Sequence, residues 1–158
     1  MLFKFSQTQL DIDVDRTRAF YDTHQADGET CPCAGCRNFE EARKLLPEEV
    51  RQFFQQLGVD PENPMNLTAY HSHDGNTVIY DATYHICGTA LAGMNDASGN
   101  PYNLREDTYP ICEGFSVYFF NEPGLLDEAF PRPKLDLEMR FEIPWLLEEP
   151  NPYLHTIP

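Results

Sequence analysis

Three cysteines fall within six residues, at Cys31, Cys33 and Cys36. The spacing C-x-C-x-x-C lets three sulfurs converge on one centre, and thiolate sulfur is a donor that zinc binds well. Pro32 and Gly35 suit the turn that such convergence requires. Zinc takes four ligands in a tetrahedron, and structural sites are commonly built from two cysteine pairs. Here the second pair is missing from the sequence pattern, so a fourth donor has to come from elsewhere in the chain.

Three sources offer it: His85 with Cys87, His71 with His73, or the nearer His24. Asp74-Gly75 is a two-residue hairpin signal between two strand-like runs, 66–73 and 76–88. Such a turn pairs 73 with 76 and 71 with 78. His71 and His73 then share a face with Val78, Tyr80, Ala82, Tyr84 and Ile86, while His85 and Cys87 project from the other face. The face that the cysteine loop covers selects the pair. The candidate ligand set is Cys31, Cys33, Cys36, His85 and Cys87, holding zinc in a structural role.

Other readings use the same residues. Cysteine often packs as a small hydrophobe, and Cys112, alternating with apolar neighbours, is expected in the core. His71 and His73 flank a turn and are expected in solvent. Cys33-x-x-Cys36 also has the spacing of a redox pair, because a helix N-terminus lowers a thiol's pKa. Against that, no βαβ unit surrounds it and Cys31 is left without a role. A thiol or metal working with a nearby histidine would make the chain an enzyme, which is the alternative function. The sequence contains no nucleotide-binding glycine loop, no G-x-S-x-G and no H-E-x-x-H.

The elements around these residues follow from periodicity. Residues 9–15 (QLDIDVD) alternate as a half-buried strand with Asp11, Asp13 and Asp15 facing water, and 16–23 continue as a short helix. A helix starts near Asn38 as its N-cap and carries Phe39, Ala42, Leu45 and Leu46 on one face. A second begins at Pro47, with Val50, Phe53, Phe54 and Leu57 as its apolar stripe, and ends at Gly58 ahead of Pro61. Strands are expected at 111–120 and 134–143; the latter puts Leu135, Leu137, Met139, Phe141 and Ile143 on one face. Residues 91–109 and 121–133 read as loops, and 144–158 as an extended Pro-rich tail. The 158 residues fit one domain. The fold class is α+β: a four- or five-stranded antiparallel sheet with two main helices on one face.

The order C-A-G-C-R-N-F (Cys33 to Phe39), L-G-V-D-P-E-N-P (Leu57 to Pro64), Y-H-I-C-G (Tyr84 to Gly88) and I-P-W-L-L-E-E-P (Ile143 to Pro150) resembles a family of small uncharacterised bacterial proteins with a C-x-x-C-x-N-F segment before two helices. The resemblance implies a bacterial, cytoplasmic, single-domain protein. That family has no assigned activity, so no catalytic role carries over.

Charge narrows the partners. Lys plus Arg number 11 and Asp plus Glu 26, a formal net charge of −15. Such a surface repels nucleic-acid phosphates and anionic lipid headgroups, so no nucleic-acid or membrane partner is expected. A basic protein is the partner it would steer in, met by Asp11, Asp13, Asp15 and the acidic strand face 136–142. No signal-peptide pattern opens the chain and no stretch approaches the roughly 20 apolar residues of a membrane span. A cytoplasmic location would keep the five cysteines reduced. The sequence therefore points to a small acidic binding or interaction protein.

Overall fold

The computed structural model describes residues 1–6, 8–23, 31–91, 107–121 and 130–154. Its elements run β1 (Leu2–Phe5), β2 (Thr8–Ile12), α1 (Val14–Thr23), α2 (Ala34–Ala42), a 3-10 turn (Arg43–Leu45), α3 (Glu48–Leu57), β3 (Asn66–His71), β4 (Thr77–Ala90), β5 (Tyr109–Cys112), β6 (Phe115–Phe120) and β7 (Lys134–Pro144). All strand pairings are antiparallel, in the order β1-β2-β4-β7-β6-β5, with β3 also on β4. The α+β class holds, with seven strands and three helices among the described residues.

The extra strands have local causes. The run 111–120 is not one strand: a turn at Glu113-Gly114 folds it into the β5–β6 hairpin. The amino-terminal residues pair back on β2 as β1. The strand expected over 9–15 stops at Ile12, because Asp13 caps α1. Its carboxylate accepts from Arg16 N–H at 3.1 Å, and its carbonyl accepts from Thr17 Oγ1 at 2.8 Å.

β4 organises the molecule. Along one edge it pairs with β7 from Thr77 to Cys87. Along the other edge β3 covers Ile79–Thr83 and β2 covers Gly88–Ala90. The gap between them exposes the backbone of His85 and Cys87, which buried polar groups cannot tolerate. Helix α1 fills it with side chains. The Tyr21 hydroxyl donates to His85 O at 2.8 Å and accepts from His85 N–H at 3.0 Å. One turn earlier, Thr17 Oγ1 accepts from Cys87 N–H at 3.0 Å. Two hydroxyls four residues apart on one helix face thus stand in for a missing strand.

The inner face of the sheet is apolar. Val78, Tyr80, Ala82, Tyr84 and Ile86 from β4 and Leu135, Leu137, Met139, Phe141 and Ile143 from β7 are all buried. Phe39 of α2 packs on Tyr80 and Phe141, and Phe54 of α3 packs on Tyr84 with ring centroids 4.9 Å apart. Full burial of each such side chain contributes about 1.5–3 kcal/mol. Gly58 closes α3 at φ 80°, as expected. Leu45 departs from the expected apolar stripe. The chain tightens into a 3-10 turn there, and Leu45 is 64% exposed.

Replacing Tyr21 by Phe removes the hydroxyl and leaves both backbone groups of His85 unpaired. We expect a loss of about 1–3 kcal/mol, read as a lower denaturation midpoint with an unchanged denaturant slope.

Candidate metal centre

Helix α2 starts at Ala34, four residues before the expected Asn38, because Cys33 supplies the cap. Cys33 has extended backbone (φ −66°, ψ 156°), and its Sγ accepts from Cys36 N–H at 3.4 Å. Arg37 then holds the loop: its Nε donates to Pro32 O at 3.1 Å, and its guanidinium pairs with Glu149. Asn38 lies fully buried inside the helix. It donates to Tyr80 Oη and Pro144 O and accepts from Leu146 N–H, tying helix, sheet and C-terminal segment together.

Gly35 fixes how closely the loop approaches the sheet. A Cβ there would lie 2.5 Å from Tyr153 Oη and 2.7 Å from Ala69 Cβ, and Gly35 O accepts from Tyr80 Oη at 2.6 Å. Cys36, next in the chain, is half-buried, while Cys31 and Cys33 stay exposed. The three sulfurs lie within 4.8 Å of one another. Zinc–sulfur bonds of about 2.3 Å in a tetrahedron set sulfurs about 3.8 Å apart, so small side-chain rotations convert this cluster into a coordination shell.

The thiols differ in proton affinity. At Cys33 partial desolvation pushes the thiol up, but hydrogen bonds from the Cys36 N–H, the Cys31 and Cys36 thiols and the Gly35 N–H outweigh it, and the net shift is down. Cys36 is pushed up to about 12, first by desolvation and then by its hydrogen bond and charge interaction with Cys33. One sulfur thus ionises readily while its neighbour retains a proton.

No family model, curated protein or solved structure matches this chain.

Of the five sequence-predicted ligands, the structure brings together Cys31, Cys33 and Cys36 and leaves His85 and Cys87 apart. Gly35 sits over Tyr80, and His85 lies five residues further along β4, roughly 16 Å at about 3.3 Å per residue and on the opposite face. There His85 is buried, its Nδ1 2.7 Å from Asp136 Oδ1 and its ring against Phe130. Lys134 Nζ donates to both Asp136 oxygens, at 2.7 and 2.8 Å. Cys87 is buried beside Asp13 and Arg16, and desolvation raises its pKa. Cys112 is half-buried at the end of β5, packed against the core rather than inside it. His24 lies outside the described residues. Among the described residues, no histidine or carboxylate joins the three sulfurs within the 4.8 Å that they share.

Two further expectations change. A β-bulge between Ala69 and His71 sets His71 opposite Ile79 instead of Val78, and the turn spans 72–76 rather than two residues. His71 is therefore not solvent-exposed; it is buried, at 9% exposure. The acidic face over 136–142 is also not free: Asp136 is engaged by Lys134, Arg140 by Asp81, and Glu142 by Thr77. Asp11, Asp13 and Asp15 do remain at the surface.

The site residues that sequence reasoning missed are Asn38, Tyr80 and Tyr153, which hold the cluster without being ligands. A buried asparagine on an amphipathic helix was the available signal. The thiol shifts order the chemistry of the pair: Cys33 is expected to alkylate faster than Cys36 and at lower pH. Peptide mapping after iodoacetamide pulses across pH 6–9 checks this, roughly the range in which an activated thiolate and an ordinary thiol separate. Gly35→Ala is expected to slow folding of the loop onto β3 and to even out the two rates, read by the same mapping.

Proposed function

We propose that this chain is a small acidic binding protein that holds a thiophilic metal ion, zinc foremost, on Cys31, Cys33 and Cys36. The observation that carries the reading is the mutual approach of three sulfurs within 4.8 Å at the start of α2. Thiolate is the donor chemistry zinc accepts, and three thiolates supply more negative charge than a dication needs. The segment C-x-x-C-x-N-F holds these sulfurs in place: Cys33 caps the helix, Asn38 ties it to the sheet and Phe39 enters the core. Among the described residues no histidine, other cysteine or carboxylate supplies a fourth donor at the shared centre; His24, which lies outside them, water or a donor from another molecule would complete the shell.

The compartment and partner belong to the same proposal. Free thiols and thiolate-bound zinc persist in a reducing compartment, which favours the cytoplasm; no described helix is long and apolar enough to cross a membrane. A net charge of −15, with Asp11, Asp13 and Asp15 at the surface, favours a basic protein partner over nucleic acid. One observation favours a second reading. The opposed shifts of Cys33 and Cys36 are those of a thiol–disulfide pair, with Cys33 the attacking thiolate. In that version the chain is a thiol-dependent enzyme.

Elemental analysis of full-length protein purified without chelator tests the proposal, with one zinc per chain expected. Cys33→Ser should lower zinc affinity more than ~100-fold, beyond the effect of losing a merely supporting group. Affinity should also rise with pH, because the proton that Cys36 keeps until about pH 12 must leave when metal binds. Metal-free protein from zinc-supplemented cells, with Cys33–Cys36 disulfide turnover, would replace this reading with the redox one.

A further inference from the structure

The His71–His73 pair is a second polar cluster, on the sheet face opposite the cysteines. The bulge places His71 opposite Ile79, and Glu142 of β7 pairs with Ile79 from the other side. His71, Ile79 and Glu142 thus form one row across three strands, while Phe141 and Ile143 point into the core. His73, from the following turn, lies over this row.

His71 Nε2 and His73 Nδ1 are 3.3 Å apart, with ring planes at 85°. That separation is slightly long for an N–H donor, whose contacts run about 2.7–3.2 Å. It equals the bite of two imidazoles on one ion: bonds of about 2.0–2.1 Å at a tetrahedral angle separate the nitrogens by about 3.3–3.4 Å. The other nitrogen of His73, Nε2, lies 3.8 Å from Glu142 Oε2, beyond hydrogen-bond length but close enough for the carboxylate's negative charge to favour a cation there. Thr77 Oγ1 donates to the other Glu142 oxygen at 2.6 Å and steadies it. His71 is nine-tenths buried, which holds its Nε2 beside His73; the ring nitrogen without a partner is Nδ1, not the one that faces His73. His73 is 62% exposed, which opens the site to solvent.

The geometry points to a second metal site at His71 and His73, beside the Glu142 carboxylate, for a divalent ion of the zinc, copper(II) or nickel class. Imidazole nitrogen suits these ions, whereas calcium and magnesium require oxygen. Two protein donors leave positions for water or for a small anionic ligand. This site is independent of the cysteine centre: it shares no residue with it and lies on the other face of the sheet.

Calorimetric titration of the full chain with zinc, in protein carrying no histidine tag, separates the two. Two equivalents are expected. His71 is buried and its removal endangers the fold, so exposed His73 carries the test. His73→Ala should remove one equivalent while leaving intact the thiolate charge-transfer absorption of the cobalt-substituted cysteine centre. Glu142→Gln, which removes the neighbouring negative charge, should weaken that same equivalent several-fold. A single equivalent lost in Cys33→Ser and unchanged in His73→Ala overturns this inference alone. A single equivalent lost in His73→Ala and unchanged in Cys33→Ser upholds it and overturns the cysteine reading.

Discussion

A fourteen-residue strand through the middle of a sheet must pair its backbone along both edges, and β4 does so with four different partners. One edge is simple, because β7 is long enough to cover it. The other is shared in series by β3, by the hydroxyls of α1 and by β2. This division determines where α1 can sit, since Thr17 and Tyr21 must meet His85 and Cys87. Two more tyrosines repeat the device on the inner face. Tyr80 donates to Gly35 O, and Tyr84 donates to Pro61 O at 2.7 Å. Desolvation raises the pKa of all three phenols, so each remains a donor throughout the physiological range. A hydroxyl at the end of a large apolar ring fills the core and still reaches a backbone group at its rim.

The cysteine centre depends on that arrangement. Tyr80 draws the Gly35 carbonyl to the sheet, and Asn38 binds the same hydroxyl while holding the segment after β7. That segment returns over the helix: Trp145 Nε1 donates to Glu149 O, and the Trp145 ring meets Tyr153 edge-on. Asn151 donates to Thr77 O, which fastens the segment to the β3–β4 turn. The sulfurs therefore lie on a loop fixed by sheet, helix and tail, although two of them are exposed. Fixing the donors before a ligand arrives reduces the ordering cost of binding. The charge balance acts in the same direction, since an acidic surface concentrates cations.

Sequence period revealed the elements that bury one clean face. The alternation over Lys134–Pro144 gave β7 nearly to the residue, and the stripe Val50, Phe53, Phe54, Leu57 gave α3. It failed where side chains replaced backbone. Asp13 ended a strand that its alternation seemed to extend, and Cys33 capped a helix in place of the more usual asparagine. The β-bulge before His71 left no signal, because one added residue reverses every face that follows it. Of the candidate site, the local triplet was legible because three donors in six residues need only a turn. Ligands separated by some fifty residues were not, since strand register and loop path decide which face meets which.

Metal binding and thiol oxidation make opposite demands on the same three sulfurs. A disulfide between Cys33 and Cys36 would withdraw two donors and leave Cys31 alone, so an oxidised chain cannot hold the ion and a loaded chain presents no attacking thiolate. A redox pair needs one low and one high thiol, which Cys33 and Cys36 supply, but it has no use for a third. Cys31 hydrogen-bonds to Cys33 and raises the proton affinity of Cys36. In a redox pair that would slow the resolving step by keeping Cys36 protonated. In a metal shell it does no such harm, because a dication displaces the proton and the third donor adds directly to affinity. The placement of Cys31 within reach of both partners is thus the feature that favours a cation over a disulfide.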